Sequence, residues 1–483
     1  MDTFLYILKV IGLILLVLLS FNIIIFVHEL GHFLAARWRG LHVDKFQIWF
    51  GKPIWKKTIN GVQYGLGTIP AGGFVALPQM APMEAIEGKN DETEEPLPPI
   101  TPMDKIIVAF AGPLFSFLLA VIAAFIVWGI GVPDTNIKTN EVGFIQPDMP
   151  AQAAGFQLGD KILEVQGTPV NGFRGNLDSI TELIIFSKGD TIDFLVDRNG
   201  EQMTLTSEFQ AKDGSLTQRR GMRRVGLAPA EQLVMGETIK GSPASVCDIV
   251  TGDIVVSING EKIYSYYHFA DTVKKLGETP FTLRVIRNSK QIDIKTMALK
   301  PNNEWRTHNK AEVTPILGVG FIQKPPKLIY PNPGKQLADT SKLMFTTISS
   351  LISPSSSIGL DQMQGPVGIG KLQYQFLDSP FPVNYIFYFW VAFNINLAIF
   401  NMLPFPVLDG GHITMALSEM IRKKPLNTRV LESIQVVCVL LLFSMFLYVT
   451  IKDIFHKDEL PNREGLPTSP TFDLDLLKET LTK

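Results

Sequence analysis

Two histidines four residues apart, with a glutamate beside the first, stand at His28-Glu29-Leu30-Gly31-His32. On a helix such a pair shares one face, so His28 and His32 can grip one metal ion while Glu29 takes a proton from a water that the metal activates. The bland alternative is a pair of core histidines. The setting argues against it: residues 10–27 carry no formal charge, and ionisable groups inside an apolar span are costly unless they are used. A catalytic zinc shell usually has three protein ligands and one open position. The stretch Asn401-Met-Leu-Pro404-Phe-Pro406-Val-Leu-Asp409-Gly410-Gly411 offers a third. Its prolines cannot continue a helix, and an unwound segment at membrane depth must face a polar cavity. Asp409 is favoured because a carboxylate further neutralises a dication; a helix cap is its structural alternative, and His412 is a rival ligand. Asn401 either holds a substrate backbone or oxyanion or makes a helix–helix contact.

These residues need helices that cross a bilayer. The chain has 483 residues, 46% hydrophobic and 19% charged, with a net charge of −2; mean hydropathy is +0.19. This points to membrane spans with a soluble portion, and it excludes bulk attraction to nucleic acid. Cys247 and Cys438, one in a polar region and one in an apolar run, imply no disulfide framework. Residues 10–27 cover about 27 Å as a helix, close to a hydrocarbon thickness. With Asp2 and only Lys9 before the apolar run, the N-terminus does not read as a cleaved signal peptide. Further spans are expected at 106–132, 383–402 and 430–451. The basic residues Arg37, Arg39, Lys45, Lys52, Lys56 and Lys57, and Arg422, Lys423, Lys424 and Arg429, mark the short connections as cytoplasmic. Residues 133–382 and both termini then lie outside, and Asp409 arrives at the same depth as His28 and His32.

Residues 61–78 read as short β segments broken by Gly and Pro, either a cytosolic hairpin or a re-entrant β-loop whose edge pairs with an extended peptide. An acidic stretch at 84–95 and prolines up to 102 read as a solvated linker. Residues 146–167 align without gaps with 239–260, each copy carrying a Pro, then Gly159-Asp160 or Gly252-Asp253, then an alternating strand ending at Gly167 or Gly260. Such a repeat indicates duplicated modules. It resembles PDZ domains, with Cys247-Asp248 in the second copy where the first has Ala154-Gly155. Residues 337–352 suit an amphipathic helix, lying on the membrane or packing on the second module. Gly365-Pro366-Val367-Gly368-Ile369 is expected to break any helix.

Taken together, H28-E29-x-x-H32, N401-x-x-P-x-P-x-L-D409-G and the two PDZ-like modules resemble the site-2 protease family of intramembrane zinc metalloproteases, and within it the RseP-type (regulator of sigma-E protease) branch. The resemblance spans nearly the whole chain. It implies a polytopic α-helical membrane protein with four transmembrane helices, a re-entrant β-loop and two β-rich PDZ-like domains. The corresponding divisions are 1–36 (helix 1), 37–104 (β-loop and linker), 105–132 (helix 2), 133–230 and 231–325 (the PDZ-like domains), 326–382 (membrane-associated region), 383–411 (helix 3), 412–429 (cytoplasmic loop), 430–451 (helix 4) and 452–483 (tail). It implies one Zn²⁺ per chain on His28, His32 and Asp409, Glu29 as general base, and substrate binding by Asn401 and by Gly72, Gly73, Phe74 and Val75 of the β-loop. Gly365-Pro366 matches the family's membrane-associated element. The implied substrates are single-pass membrane proteins such as anti-sigma factors, cut within the transmembrane segment after a first cleavage. The implied setting is the lipid bilayer of a bacterial inner membrane, with peptide or protein ligands on the PDZ-like domains and no nucleic acid. One departure is Ser116 where the family often has Asn, expected to bear on packing of the second span and to touch no ligand. The competing classes are a non-catalytic PDZ scaffold, which needs no Glu29, and a metal-ion transporter, which needs neither the base nor the modules.

Overall fold

The computed structural model describes residues 2–83, 98–211, 221–303, 313–322, 325–423, 428–455, 469–475, 477 and 479. Most of the expected linker, residues 84–97, lies outside them. In chain order the helices of more than one turn are α1 (Asp2–Trp38), α2 (Pro102–Ile130), α3 (Ile180–Phe186), α4 (Tyr266–Leu276), α5 (Pro333–Ile352), α6 (Pro366–Leu377), α7 (Pro382–Asn401), α8 (Asp409–Arg422) and α9 (Thr428–Phe455). Among the described residues, four stretches are long and apolar enough to cross a membrane: Phe4–Trp38, Pro102–Ile130, Pro382–Asn401 and Ser433–Phe455. The chain divides into two compact units, one with 1–134, 327–349 and 363–454, the other with 135–326, 350–362 and 455–483.

In the first unit α2 packs against α1, α7 and α8. Its start is fixed by a capping box: Thr101 Oγ1 accepts from the Asp104 N–H (3.2 Å), and the Asp104 carboxylate accepts from the Thr101 N–H (3.0 Å). Such a cap stabilises a helix by about 1 kcal/mol. Arg39, just past α1, donates to the same carboxylate at 2.7 Å, tying two helix ends together. At α2's other end, Val132–Pro133 (β5) pairs with Leu328–Ile329 (β18).

A four-stranded sheet sits beside α1. Its strands are β1 (Lys45–Phe50), β2 (Trp55–Ile59), β3 (Val62–Leu66) and β4 (Ile69–Ala76), in the order β2-β3-β1-β4. The stretch read as β from sequence supplies only β3 and β4. β1 and β2 escape that reading because Lys45, Lys52, Lys56 and Lys57 look like a basic connection. β1 pairs antiparallel with β4, Gln47 opposite Phe74 and Ile48 opposite Gly73, which leaves β4 at the end of the sheet.

Two further differences from the sequence reading concern helix starts. Gly365-Pro366 opens a helix rather than breaking one: Pro366 takes the first position of α6, where its missing N–H costs nothing. The Gly368 N–H donates to Asp453 Oδ2 of α9 at 2.7 Å, and a Cβ on Gly368 would lie 2.7 Å from that carboxylate. Likewise, 412–429 is no simple loop, since α8 runs to Arg422 with Lys105 of α2 bridging its Glu419 at 2.7 Å.

The second unit contains two β-rich modules built alike. The first has β7 (Lys161–Val165), β8 (Thr168–Pro169), β9 (Thr191–Arg198) and β10 (Glu201–Glu208) in the order β10-β9-β7-β8. The second has β13 (Ile254–Ile258), β14 (Glu261–Lys262), β15 (Pro280–Arg287) and β16 (Lys290–Met297), joined β14-β13-β15-β16, the same connectivity. Each adds a short two-stranded pair, β6 (Val142–Ile145) with β11 (Leu227–Pro229), and β12 (Met235–Thr238) with β17 (Val319–Phe321). The repeated Gly-Asp now has a reason. Asp160 accepts two bonds from Arg198 (both 2.8 Å) and one from the Gln157 N–H (2.8 Å). Asp253 does the same with Arg287 (2.7 and 2.8 Å) and the Val250 N–H (3.0 Å). In each module a buried carboxylate thus ties the turn before one strand to the end of another. The Cys247-Asp248 departure is also accommodated: Asp248 holds φ +56°, as Gly155 holds +81°. Its carbonyl and carboxylate then accept from Arg287 at 2.6 and 3.2 Å.

Candidate metal centre

His28 and His32 lie one turn apart on the buried face of α1, each 8% exposed. Asp409 comes from a different part of the chain. α7 ends at Asn401, the chain turns through the two prolines, and α8 begins at Asp409. The glycines after Asp409 make this turn possible: a Cβ on Gly410 would lie 2.3 Å from the Met402 carbonyl oxygen, and one on Gly411 2.0 Å from that of Phe405. No larger residue fits so close to the folded-back backbone.

The three side chains converge. His28 Nε2 and His32 Nε2 are 3.3 Å apart, and each is 3.4 Å from a different Asp409 carboxylate oxygen, His28 from Oδ2 and His32 from Oδ1. Ligands at about 2.0–2.1 Å from a tetrahedral ion lie roughly 3.3–3.4 Å from one another, so the imidazole pair matches one edge of a zinc tetrahedron, with the carboxylate facing it, one oxygen toward each ring. The outer ring nitrogens fix the donor sense. His32 Nδ1 donates to the Val108 carbonyl at 2.8 Å. A carbonyl only accepts, so Nδ1 carries a proton, and Nε2 is the ring nitrogen turned to Asp409 and His28. His28 Nδ1 meets Ser116 Oγ at 3.0 Å. Two imidazole Nε2 atoms and a carboxylate turned to one another form a donor set suited to a dication, and the residues present fit zinc.

Ser116 therefore does touch a candidate ligand, against the expectation that it bore on packing alone. The signal was its place as a hydroxyl in an apolar span, where a polar side chain must find a partner. Gly112 is a second residue the sequence reading passed over. A Cβ there would lie 2.2 Å from His32 Nε2, so α2 comes this close to the imidazole only with a glycine facing it.

Of the other sequence candidates, Glu29 lines a small cavity with His32, Val75, Val108, Asp409 and His412. The rival ligand His412 is buried there, but among the described residues the set able to share one ion is His28, His32 and Asp409. Asn401 Nδ2 lies 3.4 Å from His28 Nε2, at the rim of the triad. Gly72, Gly73, Phe74 and Val75 all fall in β4. A Cβ on Gly73 would be 3.3 Å from Glu29 Cγ, so this strand passes directly beside the glutamate. The Phe74 ring stacks on Phe50 across the sheet, with centroids 6.3 Å apart.

Comparison with known proteins gives a consistent picture. The profile described as peptidase family M50 matches residues 16–445. The protein named Protease RseP of Yersinia pestis is 27% identical, over 86% of this chain and 92% of its own length. The regulator of sigma-E protease RseP of Salmonella typhimurium is 26% identical, over 86% and 92%.

Proposed function

The chain belongs to peptidase family M50 and is a zinc-dependent membrane metalloprotease of the site-2 type; on that premise we propose that it cuts single-pass membrane proteins within their transmembrane segment. In this reading His28, His32 and Asp409 hold the zinc, Glu29 is the general base, and Asn401 with Gly72–Val75 binds substrate. The observation that carries it is the convergence, from two separate helical segments, of two imidazole Nε2 atoms 3.3 Å apart on one carboxylate, each 3.4 Å from one of its two oxygens.

When bound, zinc supplies Lewis acidity to the scissile carbonyl and lowers the pKa of a water molecule. Glu29, in the same cavity, accepts that water's proton and delivers it to the leaving amine. The imidazoles keep their orientation through Val108 and Ser116, so no rearrangement is needed at the chemical step. A transmembrane helix hides its carbonyls in its own hydrogen bonds and must unwind before it can be cut. β4 ends its sheet and passes beside Glu29, so an unwound segment added along its outer edge regains backbone partners while lying next to the base. In this reading Asn401, whose Nδ2 lies 3.4 Å from His28 Nε2, holds that segment's backbone.

The substrates are of the anti-sigma-factor kind, cut after another protease has removed their outer domain. The two β-rich modules are PDZ domains on the extracytoplasmic side of a bacterial inner membrane, as are both termini, and they screen out substrates that still carry bulky domains. This assignment is supported by the basic connections after the first and third spans.

The test is reconstitution in vesicles with a panel of single-span substrates, with and without a chelator, mapping the cut bond by mass. Cleavage inside the membrane segment, lost with chelator and regained with zinc, is expected. Glu29→Gln is expected to keep one zinc per chain and to lower turnover by about 10²–10⁴-fold. Cutting outside the membrane segment, or a Glu29→Gln variant with full activity, contradicts the proposal.

A further inference from the structure

The two β-rich modules differ at one equivalent spot. In the first, Gly226 (φ +93°) lies against Met149, and the next neighbour of its Cβ position is Gln146 Cβ at 3.5 Å, a residue of the same module. In the second, Gly318 (φ +72°) lies against Ser242 in the same way, but the next neighbour is Phe472 Cε2 at 3.6 Å. Phe472 belongs to the C-terminal segment, more than 150 residues further along the chain.

That segment is held at several points. The Asn303 side chain grips its backbone from both sides: Nδ2 donates to the Ser469 carbonyl (2.9 Å), and Oδ1 accepts from the Thr471 N–H (3.2 Å). The Asn302 N–H donates to the Thr471 carbonyl at 2.9 Å, and Thr471 Oγ1 donates to the Asn302 side chain. Beyond this clamp Leu477, only 2% exposed, joins the module's core cluster with Leu317, Phe269 and Val273, and Phe472 and Leu474 pack on that cluster. Among the described residues, the first module's core draws only on residues 137–227. Asp473 and Asp475, between the apolar residues, remain exposed.

We infer that the second module is a receptor for this chain's own C-terminal segment: a main-chain clamp at Asn302–Asn303 and an apolar seat beside Gly318 that takes Phe472 and Leu477. The surface accepts a segment of alternating apolar and acidic residues, here Phe472-Asp473-Leu474-Asp475, and an external partner of that chemistry has to displace the tail first. Tethering through residues 456–468 places the segment at an effective concentration in the millimolar range, so a free peptide competes poorly with it. The first module, where its own Gln146 lies at the matching spot, carries no such occupant among the described residues.

The test uses the full chain in detergent and a fluorescent peptide of residues 469–483, followed by anisotropy. Wild type is expected to bind the peptide at least tenfold more weakly than Leu477→Asp or a chain ending at residue 468, and a peptide carrying Leu477→Asp is expected not to bind. Equal binding to wild type and variants overturns the inference, as does no binding to any of them. A second measurement avoids destabilised variants: the intact chain with Asn302→Cys and Thr471→Cys is expected to form that disulfide on mild oxidation, read by mass after digestion. Its absence overturns the inference equally.

Discussion

Both units bury carboxylates that tie elements together, Asp104 with Arg39 in the helical unit and Asp160 and Asp253 with arginines in the other, but the helical unit also holds one in a different setting. In the β-rich unit Asp160 and Asp253, each 1% exposed, meet an arginine fork and a backbone N–H, so every charge is matched by protein at once. In the apolar helical unit Asp409 meets two imidazole nitrogens, one at each of its oxygens. A buried carboxylate with a guanidinium is a closed account: it orients strands. One that converges with two imidazole nitrogens has the make-up of a coordination shell for a dication. The difference predicts which substitutions cost stability and which cost turnover.

His32→Ala breaks the comparison most severely if it is wrong. The account predicts loss of bound zinc and of at least about 10³-fold in turnover, several kcal/mol of transition-state stabilisation, with little change in melting temperature. Zinc analysis and calorimetry on one sample decide it; an unfolded protein with zinc retained in the folded fraction contradicts it. Gly112→Ala comes next. Its methyl would lie 2.2 Å from His32 Nε2, and displacing the ring by about 1 Å is expected to cost on the order of 10²-fold in turnover while the ligands stay chemically intact.

Asp253→Asn probes the other unit. It removes charged hydrogen bonds worth about 1.5–3 kcal/mol, toward the lower end because Arg287 reaches solvent. Denaturant unfolding is expected to show that loss without a change in zinc content. The same residue sets a pH dependence. Burial raises the Asp253 carboxyl, but the Arg287 fork and the Val250 N–H outweigh it and hold its pKa below the ordinary value of 3.8. Its contribution is therefore complete above that value and fades as pH falls below it. Wild type is expected to lose stability in this acid window more steeply than Asp253→Asn; parallel curves contradict the assignment. The smallest effect is expected from Ser116→Ala, which leaves the His28 ring without its outer partner and weakens zinc affinity by about tenfold, readable by chelator competition.

How much of this was legible in the sequence depends on distance along the chain. His28 and His32 announce themselves because one helical turn joins them, and Asp409 because two prolines force an unwound segment at membrane depth. The four apolar stretches are local facts of hydropathy. The Asp–Arg ties were not legible: the repeat aligns Asp160 with Asp253, but Arg198 and Arg287 lie beyond the ungapped stretch and at different separations from their partners. α8 was hidden because Gly410-Gly411 reads as a turn until the Met402 and Phe405 carbonyls are seen packed against them. α6 was misread because Pro366 is a breaker inside a helix and a starter at its first position. Ser116 looked like a packing detail for want of any sequence sign that α2 passes the imidazoles.

The central claim is that two separate helical segments complete one zinc shell. X-ray absorption at the zinc edge on the purified, zinc-repleted protein tests it directly. The account predicts one zinc per chain with two imidazole nitrogens and a carboxylate oxygen at about 2.0–2.2 Å, and loss of the carboxylate contribution together with weaker binding in Asp409→Ala. An unchanged zinc environment in that variant, or a wild-type shell containing no histidine, contradicts it.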